Sequence, residues 1–386
     1  MPLSPSNIPL SLYIHLPWCI KKCPYCDFNS FAKTDALPEQ AYIDALLQDL
    51  DQELPLLGNR PIVSIFIGGG TPSLFSPAAI KRLLHEINLR LEWTPAIEIT
   101  MEANPGTFEQ ERFYGFKDAG INRLSLGVQS FNPTHLQKLG RIHGTNESLS
   151  AITAAKEIGF NAINVDLMYA LPNQSVEEAL ADLTQAITLT PAHLSWYHLT
   201  IEPNTAFYRR PPKTPNEEIT EAIETQGKAL LAQHGFQQYE VSAYSQSNRQ
   251  CIHNLNYWQF GDYLGIGAGA HSKITLSNRE VIRFWKHRLP NHYLDPQQAF
   301  TSNQKTLTRD DLIFEFMLNA LRLMNGFSFD LFEERTGLER TEISKTIDIA
   351  LQRKLLVLDK DTQYIQVTEH GKRFLDDLVG LFLSSN

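Results

Sequence analysis

Short apolar or β-branched runs recur at residues 12–16, 62–67, 97–101, 123–128, 162–168 and 193–201. Between them the period changes. EQAYIDALLQDLDQEL, SPAAIKRLLHEINLRL, NESLSAITAAKEIGF and SVEEALADLTQAITL place apolar side chains at i, i+3, i+4 and i+7, the stripe of a helix that buries one face. Boundary signals agree. Ser76 precedes Pro77, Asn146 or Ser148 opens the third helix, and Ser175 with Glu178 reads as a capping box, while Gly120 and Gly159 stand where C-terminal caps do. Strands alternating with helices predict a parallel sheet with right-handed crossovers. Six such units fall short of the eight that close a barrel, so an α/β fold is expected, an incomplete (β/α)6 barrel open on one side.

In such folds the chemistry belongs at the C-terminal ends of the strands. The sequence meets that requirement. GGGTPS (68–73), MEANPGT (101–107), GVQSF (127–131) and VDLMYALP (165–172) each follow or end a strand. Glu102, Gln129 and Asp166 interrupt otherwise apolar runs there, and a buried carboxylate is costly without a partner. One alone could satisfy a backbone group or an arginine. Three at equivalent strand ends favour a shared polar ligand.

Beyond Gly235 the rhythm breaks. YEVSAYSQSNRQCIHNLNYWQFGDYLGIGAGAHSKI reads as one more strand and then a loop that folds back on the barrel. Helices are expected at 309–324, 330–336, 340–354 and 369–383, with a hairpin pairing 355–358 to 364–367. This is a small helical, winged-helix-like domain. The chain therefore divides into 1–240, an aromatic and glycine-rich extension over 241–300, and 301–386. A wing suggests DNA, but residues 301–386 hold 11 Lys and Arg against 14 Asp and Glu, and the whole chain carries −9. Nucleic acid needs a basic face, so a docking role toward protein is expected instead.

Composition narrows the setting. With 42% hydrophobic and 20% charged residues a packed core is expected. The N-terminus lacks the basic and apolar regions of a signal peptide, and no apolar run nears the roughly 20 residues of a membrane helix. A soluble, cytoplasmic protein is expected. Of four cysteines, Cys19, Cys23 and Cys26 form C-x3-C-x2-C just after the first strand, which in a reducing compartment points to metal or redox chemistry. A Cys3His zinc site with His15 is one reading, weakened because the pleat fixes the direction of a side chain inside a strand. A [4Fe–4S] cluster fits better. Three thiolates leave one iron open to chelate the amino and carboxylate groups of a small molecule such as S-adenosylmethionine.

These motifs resemble the radical SAM superfamily. With YIHLPWC, CPYCDF, IGGGTPS, EANPGT, GVQSF, LGRIH and DLMYALP, nearly the whole chain is similar to the oxygen-independent coproporphyrinogen III oxidase-like family. The resemblance implies a radical SAM barrel with Cys19, Cys23 and Cys26 as cluster ligands. It places Tyr13 beside S-adenosylmethionine, Gly69, Gly70 and Thr71 at its methionine end, and Glu102 at its ribose or amino group. Tyr25, Gln129, Arg141 and Asp166 match positions around a second S-adenosylmethionine in the oxidases; whether one or two molecules bind here is left open.

Within that family two functions compete: oxidative decarboxylation of coproporphyrinogen III, and heme chaperoning. The oxidases carry a further cysteine where this chain has Phe28, and a long N-terminal arm where this chain has about ten residues before the first strand. HNLNYW (253–258) resembles the motif of the heme-chaperone branch. It implies His253 as a heme-iron ligand, with Tyr257, Trp258 and Phe260 as ring faces for the porphyrin and Cys251 as an auxiliary ligand. The expected partners are then heme and acceptor hemoproteins, respiratory ones among them. Peripheral membrane association and a homodimer are compatible with this.

Overall fold

The computed structural model describes residues 5–33, 35–107, 110–359 and 361–383. Six parallel strands stand side by side in chain order: β1 (Leu10–Leu16), β2 (Ile62–Gly69), β3 (Trp93–Ala103), β4 (Arg123–Gln129), β5 (Ala162–Tyr169) and β6 (His193–His198). Between them run α1 (Glu39–Leu57), α2 (Pro77–Arg90), α3 (Gln110–Asp118), α4 (Thr145–Glu157) and α5 (Val176–Thr188). This is the partial barrel that the alternation predicts.

Period two decides what each face does. Leu10, Leu12, Ile14 and Leu16 of β1 are buried against the helix layer with Leu46, Leu50, Leu83 and Ile87. The opposite face turns into the lumen, and it is polar. Ser11, Tyr13 and His15 of β1 stand level with Ser64, Phe66 and Gly68 of β2. Ser125, Asp166 and Ser195 of β4, β5 and β6 continue the ring.

The caps hold with one correction. Ser76 accepts from the Ala79 N–H, and Ser175 and Glu178 form the expected box. α4 starts after Gly144, not at Asn146 or Ser148, because the Glu147 carboxylate reaches back to accept the Gly144 N–H at 3.0 Å.

The segment after α6 (Glu217–Gln233) is more regular than a loop. β7 (Gln237–Glu240) and β8 (Ala243–Ser245) extend the sheet antiparallel beyond β6, and α7 (Ile252–Trp258) follows. β9 (Asp262–Ile266) then returns parallel to β1, and β10 (His271–Thr275), β11 (Val281–Lys286) and β12 (Thr301–Thr306) complete a twelve-stranded sheet. Glycines hide this alternation in the sequence. Gly267 has φ +103°, and a Cβ there would lie 2.4 Å from the His15 carbonyl. Buried ion pairs fix the added strands: Lys286 reaches Asp49 at 2.7 Å and Glu53 at 2.5 Å, and Asp262 receives Arg60 at 2.7 Å and Lys273 at 2.8 Å.

The C-terminal unit has its own core around Phe316, Phe327, Phe332, Ile343 and Ile365. Its elements are α8 (Arg309–Ala320), β13 (Phe327–Ser328), α9 (Phe329–Thr336), α10 (Thr341–Gln352), β14 (Leu356–Leu358) and β15 (Tyr364–Val367). The first helix ends four residues before the expected 324, and β13 adds an unforeseen third strand to the wing. The last helix is broken into α11 (Glu369–Arg373) and α12 (Leu375–Gly380) at Phe374, whose φ −117° and ψ 39° are not helical. Among the described residues no helix is long and apolar enough to cross a membrane.

Candidate functional site

β1 delivers the chain to the C-terminal rim, where residues 17–30 form the cysteine loop. Its base is a two-residue pairing of Trp18–Cys19 with Phe31–Ala32. Lys22 donates to the Phe28 and Ser30 carbonyls, both at 3.0 Å. Asn29 ties the loop to the added strands, donating to the Ala268 carbonyl at 2.9 Å and the Arg288 carbonyl at 2.8 Å. Held this way, Cys19, Cys23 and Cys26 are half-buried free thiols. Cys26 Sγ lies 3.7 Å from Ser30 Oγ, and Cys23 Sγ lies 3.7 Å from the Arg141 guanidinium. Burial pushes the Cys19 and Cys26 thiols up, so both favour the protonated form until a metal centre offsets the desolvation.

Among the described residues no three His, Cys, Asp or Glu side chains converge on one metal position, the three cysteines included. His15, the zinc alternative, bonds instead to the Tyr13 hydroxyl at 2.9 Å and the Asn29 carbonyl at 2.8 Å, and burial lowers its imidazole to about 4. The fourth cysteine is out of reach. Cys251 lies under the barrel at its N-terminal end, 3.4 Å from the Glu98 carboxylate, its thiol pushed up to about 12 by burial.

The three thiols open onto a cavity of about 460 Å³, within the usual range for small-molecule sites. Tyr25, Gly69, Gly70, Thr71, Glu102, Gln129, Arg141 and Asp166 line it with them. Gly70 has no room for a side chain, since a Cβ would lie 2.5 Å from the Trp18 carbonyl. The chain there presents backbone rather than side chain to the cavity. Glu102 accepts the Gly69 N–H at 3.1 Å; burial and the nearby Asp166 push its carboxyl up to about 7. Asp166 is also raised by burial, an effect moderated by Ser195, by Asn164 at 2.7 Å and by Ser125 at 3.0 Å. Gln129 sits at a register slip between β4 and β5 with φ 71°, a strained geometry that aims its amide at the Tyr197 hydroxyl 2.7 Å away. Arg141 spans Cys23 and the Gly127 carbonyl and does not pair with Glu102 or Asp166.

Two of the expected site residues stand apart from the cavity lining. Tyr13 does not line the cavity; it lies within the lumen, bonded to His15 and stacked near Phe66. His253 is farther still. It lies on α7 at the barrel's N-terminal end, 4% exposed, with Nδ1 3.0 Å from Ser64 Oγ and its ring among Tyr13, Phe66 and Tyr257. Tyr257 and Phe260 pack internally and Trp258 lies under Arg322, so none forms a porphyrin wall in this state. Pattern could not say toward which end of the barrel the extension folds. Conversely, the structure adds Ser125, Ser195 and Tyr197 to the cavity. Their alternation with apolar neighbours in β4 and β6 was the available signal.

The radical SAM superfamily model matches residues 13–186, and the HemN C-terminal domain model matches 307–374. The heme chaperone HemW of Haemophilus influenzae is 51% identical, covering 98% of this chain and 99% of that protein. The chain belongs to the HemW family. HemW of Escherichia coli is 48% identical over 97% of this chain and 98% of its own, and HemW of Bacillus subtilis 33% over 97% and 99%. The structure is also similar to coproporphyrinogen III oxidase HemN of Escherichia coli, a radical SAM enzyme. The TM-score is 0.81 with 25% identity, covering 98% of this chain and 90% of that one.

Proposed function

We propose that this HemW-family chain is a cytoplasmic heme chaperone, one that carries a [4Fe–4S] cluster on Cys19, Cys23 and Cys26 and binds S-adenosylmethionine beside it. One observation carries the reading. Three free thiols share one cavity while the fourth cysteine is sequestered at the opposite end of the barrel, which leaves one iron corner without a polypeptide thiolate. When bound, the cluster supplies an electron to the sulfonium of S-adenosylmethionine. The residues do the holding. Gly69, Gly70 and Thr71 let backbone approach the methionine end, and Glu102, with no cationic side chain bonded to it among the described residues, offers its carboxylate to an amino or ribose group. Tyr25, Gln129, Arg141 and Asp166 line the same cavity, and a second molecule would sit among them. Heme passes to acceptor hemoproteins, the respiratory ones being the expected class.

The likeness to HemN keeps an oxidase reading in play. Anaerobically reconstituted protein separates the two. Absorbance titration should show stoichiometric heme binding, and coproporphyrinogen III should remain unconverted. Sustained protoporphyrinogen formation would replace the chaperone by the oxidase.

A further inference from the structure

Beneath the cavity lies a second polar layer, closed off from it. Asn164 of β5 and His193 of β6 are register partners, each 1% exposed, and neither lines the cavity. Tyr239 of β7, also buried, completes the layer. Branched hydrocarbon ordinarily fills the inside of such a barrel, so polar side chains here must satisfy one another.

They do so in one direction. Asn164 Nδ2 donates to Asp166 Oδ1 at 2.7 Å and to Ser125 Oγ at 2.8 Å, and Ser125 Oγ donates to Asp166 Oδ2 at 3.0 Å. The reverse amide orientation would set a carbonyl oxygen against the carboxylate. Asn164 Oδ1 therefore faces Ser195 Oγ at 3.1 Å and His193 Nδ1 at 2.6 Å. Burial pushes the imidazole well below its ordinary value, so the ring is neutral and holds one proton. A carbonyl oxygen only accepts, which puts that proton on Nδ1. Nε2 is left bare and accepts the Tyr239 hydroxyl at 2.8 Å. Every donor from Tyr239 through His193 and Asn164 thus points toward Asp166. Both of its oxygens are held from behind, which leaves their other lone pairs for the cavity that Asp166 lines.

We propose that His193, fixed in one tautomer by Tyr239, is a positioning residue that acts through Asn164 to lock Asp166 as an anionic acceptor for donor groups of S-adenosylmethionine. This rests on the S-adenosylmethionine reading of the cavity and goes beyond it by assigning a role to a layer the cofactor does not touch. Asp166 also faces Arg123 of β4, Glu102 of β3 and Tyr197 of β6. Among the described residues Glu102 holds one donor, the Gly69 N–H, against the two on Asp166, so Asp166 is the member of that carboxyl pair that stays ionised.

The test measures S-adenosylmethionine binding to the full-length, cluster-reconstituted protein by anaerobic equilibrium dialysis as a function of pH. His193→Phe keeps a ring and deletes both hydrogen bonds, and should weaken binding about tenfold. Without that support Asp166 holds its proton more tightly, so the fall in binding on acidification should move to higher pH. His193→Gln, which can still donate to Asn164, should restore most of the affinity. Tyr239→Phe removes one oxygen, frees the tautomer and should cost severalfold; it serves if the His193 variants fold poorly. Asp166→Asn sets the limit, and His193→Phe added to it should cost nothing further. Unchanged affinity in every variant that folds, or a loss as large in the Asp166→Asn background, overturns the positioning role while leaving cofactor binding intact. Wild-type protein that holds its cluster and does not bind S-adenosylmethionine overturns both.

Discussion

Glu102→Gln is the substitution whose effect the structure fixes most closely. The carboxyl is raised from its ordinary 4.5 to about 7, first by burial and then by Asp166. At about 1.4 kcal/mol per pKa unit, the ionised side chain costs the folded cofactor-free protein up to about 3 kcal/mol. The sign follows from linkage. A group that holds its proton more tightly when folded contributes stability below about 4.5, and that stability is lost as pH rises through about 7. Glutamine is neutral throughout and can still accept the Gly69 N–H. The variant should therefore match wild type near pH 5 and exceed it by 1–3 kcal/mol, roughly, near pH 8. Urea unfolding of the cofactor-free protein at both values measures this. A stability difference that does not vary with pH, or a variant weaker at pH 8, would refute the reasoning. The same variant should bind S-adenosylmethionine more weakly, since a site that strains the empty protein does so to meet a charged ligand.

Other outcomes follow from single contacts. Cys251→Ala should keep full iron and sulfide content after reconstitution, whereas alanine at Cys19, Cys23 or Cys26 should lose most of it; elemental analysis and visible absorbance read both. Asn29→Ala cuts the two bonds that pin the cysteine loop to the added strands, so iron release to a chelator should quicken severalfold with little change in global stability. Lys286→Met strands Asp49 and Glu53 without their cation and should cost about 3–5 kcal/mol in urea unfolding. Gly70→Ala forces a methyl into the Trp18 carbonyl and should weaken S-adenosylmethionine binding by calorimetry even where the protein folds.

Legibility followed physics. The six strands and the cavity wall could be read because parallel strands are apolar on their outer face, so Glu102, Gln129 and Asp166 stood out as interruptions. β9 and its turn into β10 could not, because Gly265, Gly267 and Gly269 erase alternation where the backbone passes close to neighbours such as the His15 and His271 carbonyls. The HNLNYW motif was visible as chemistry but not as location. Only the spacing of His253 and Asn256 hinted at a helix, and nothing local reveals that α7 lies under the N-terminal end. Glu98 and Arg123, which brace that end at 3.8 Å, went unread although they share their strands' inner faces with the residues that were noticed.

The hydroxyl-lined lumen has a consequence for how this chain tolerates change. Hydrocarbon on the outward face of β1 carries the fold, while Ser125 and Ser195 on the inward face of β4 and β6 line the cavity. Sensitivity should therefore alternate with residue parity along every barrel strand: one set of positions governs whether the polypeptide survives in the cell, the other whether it does anything there.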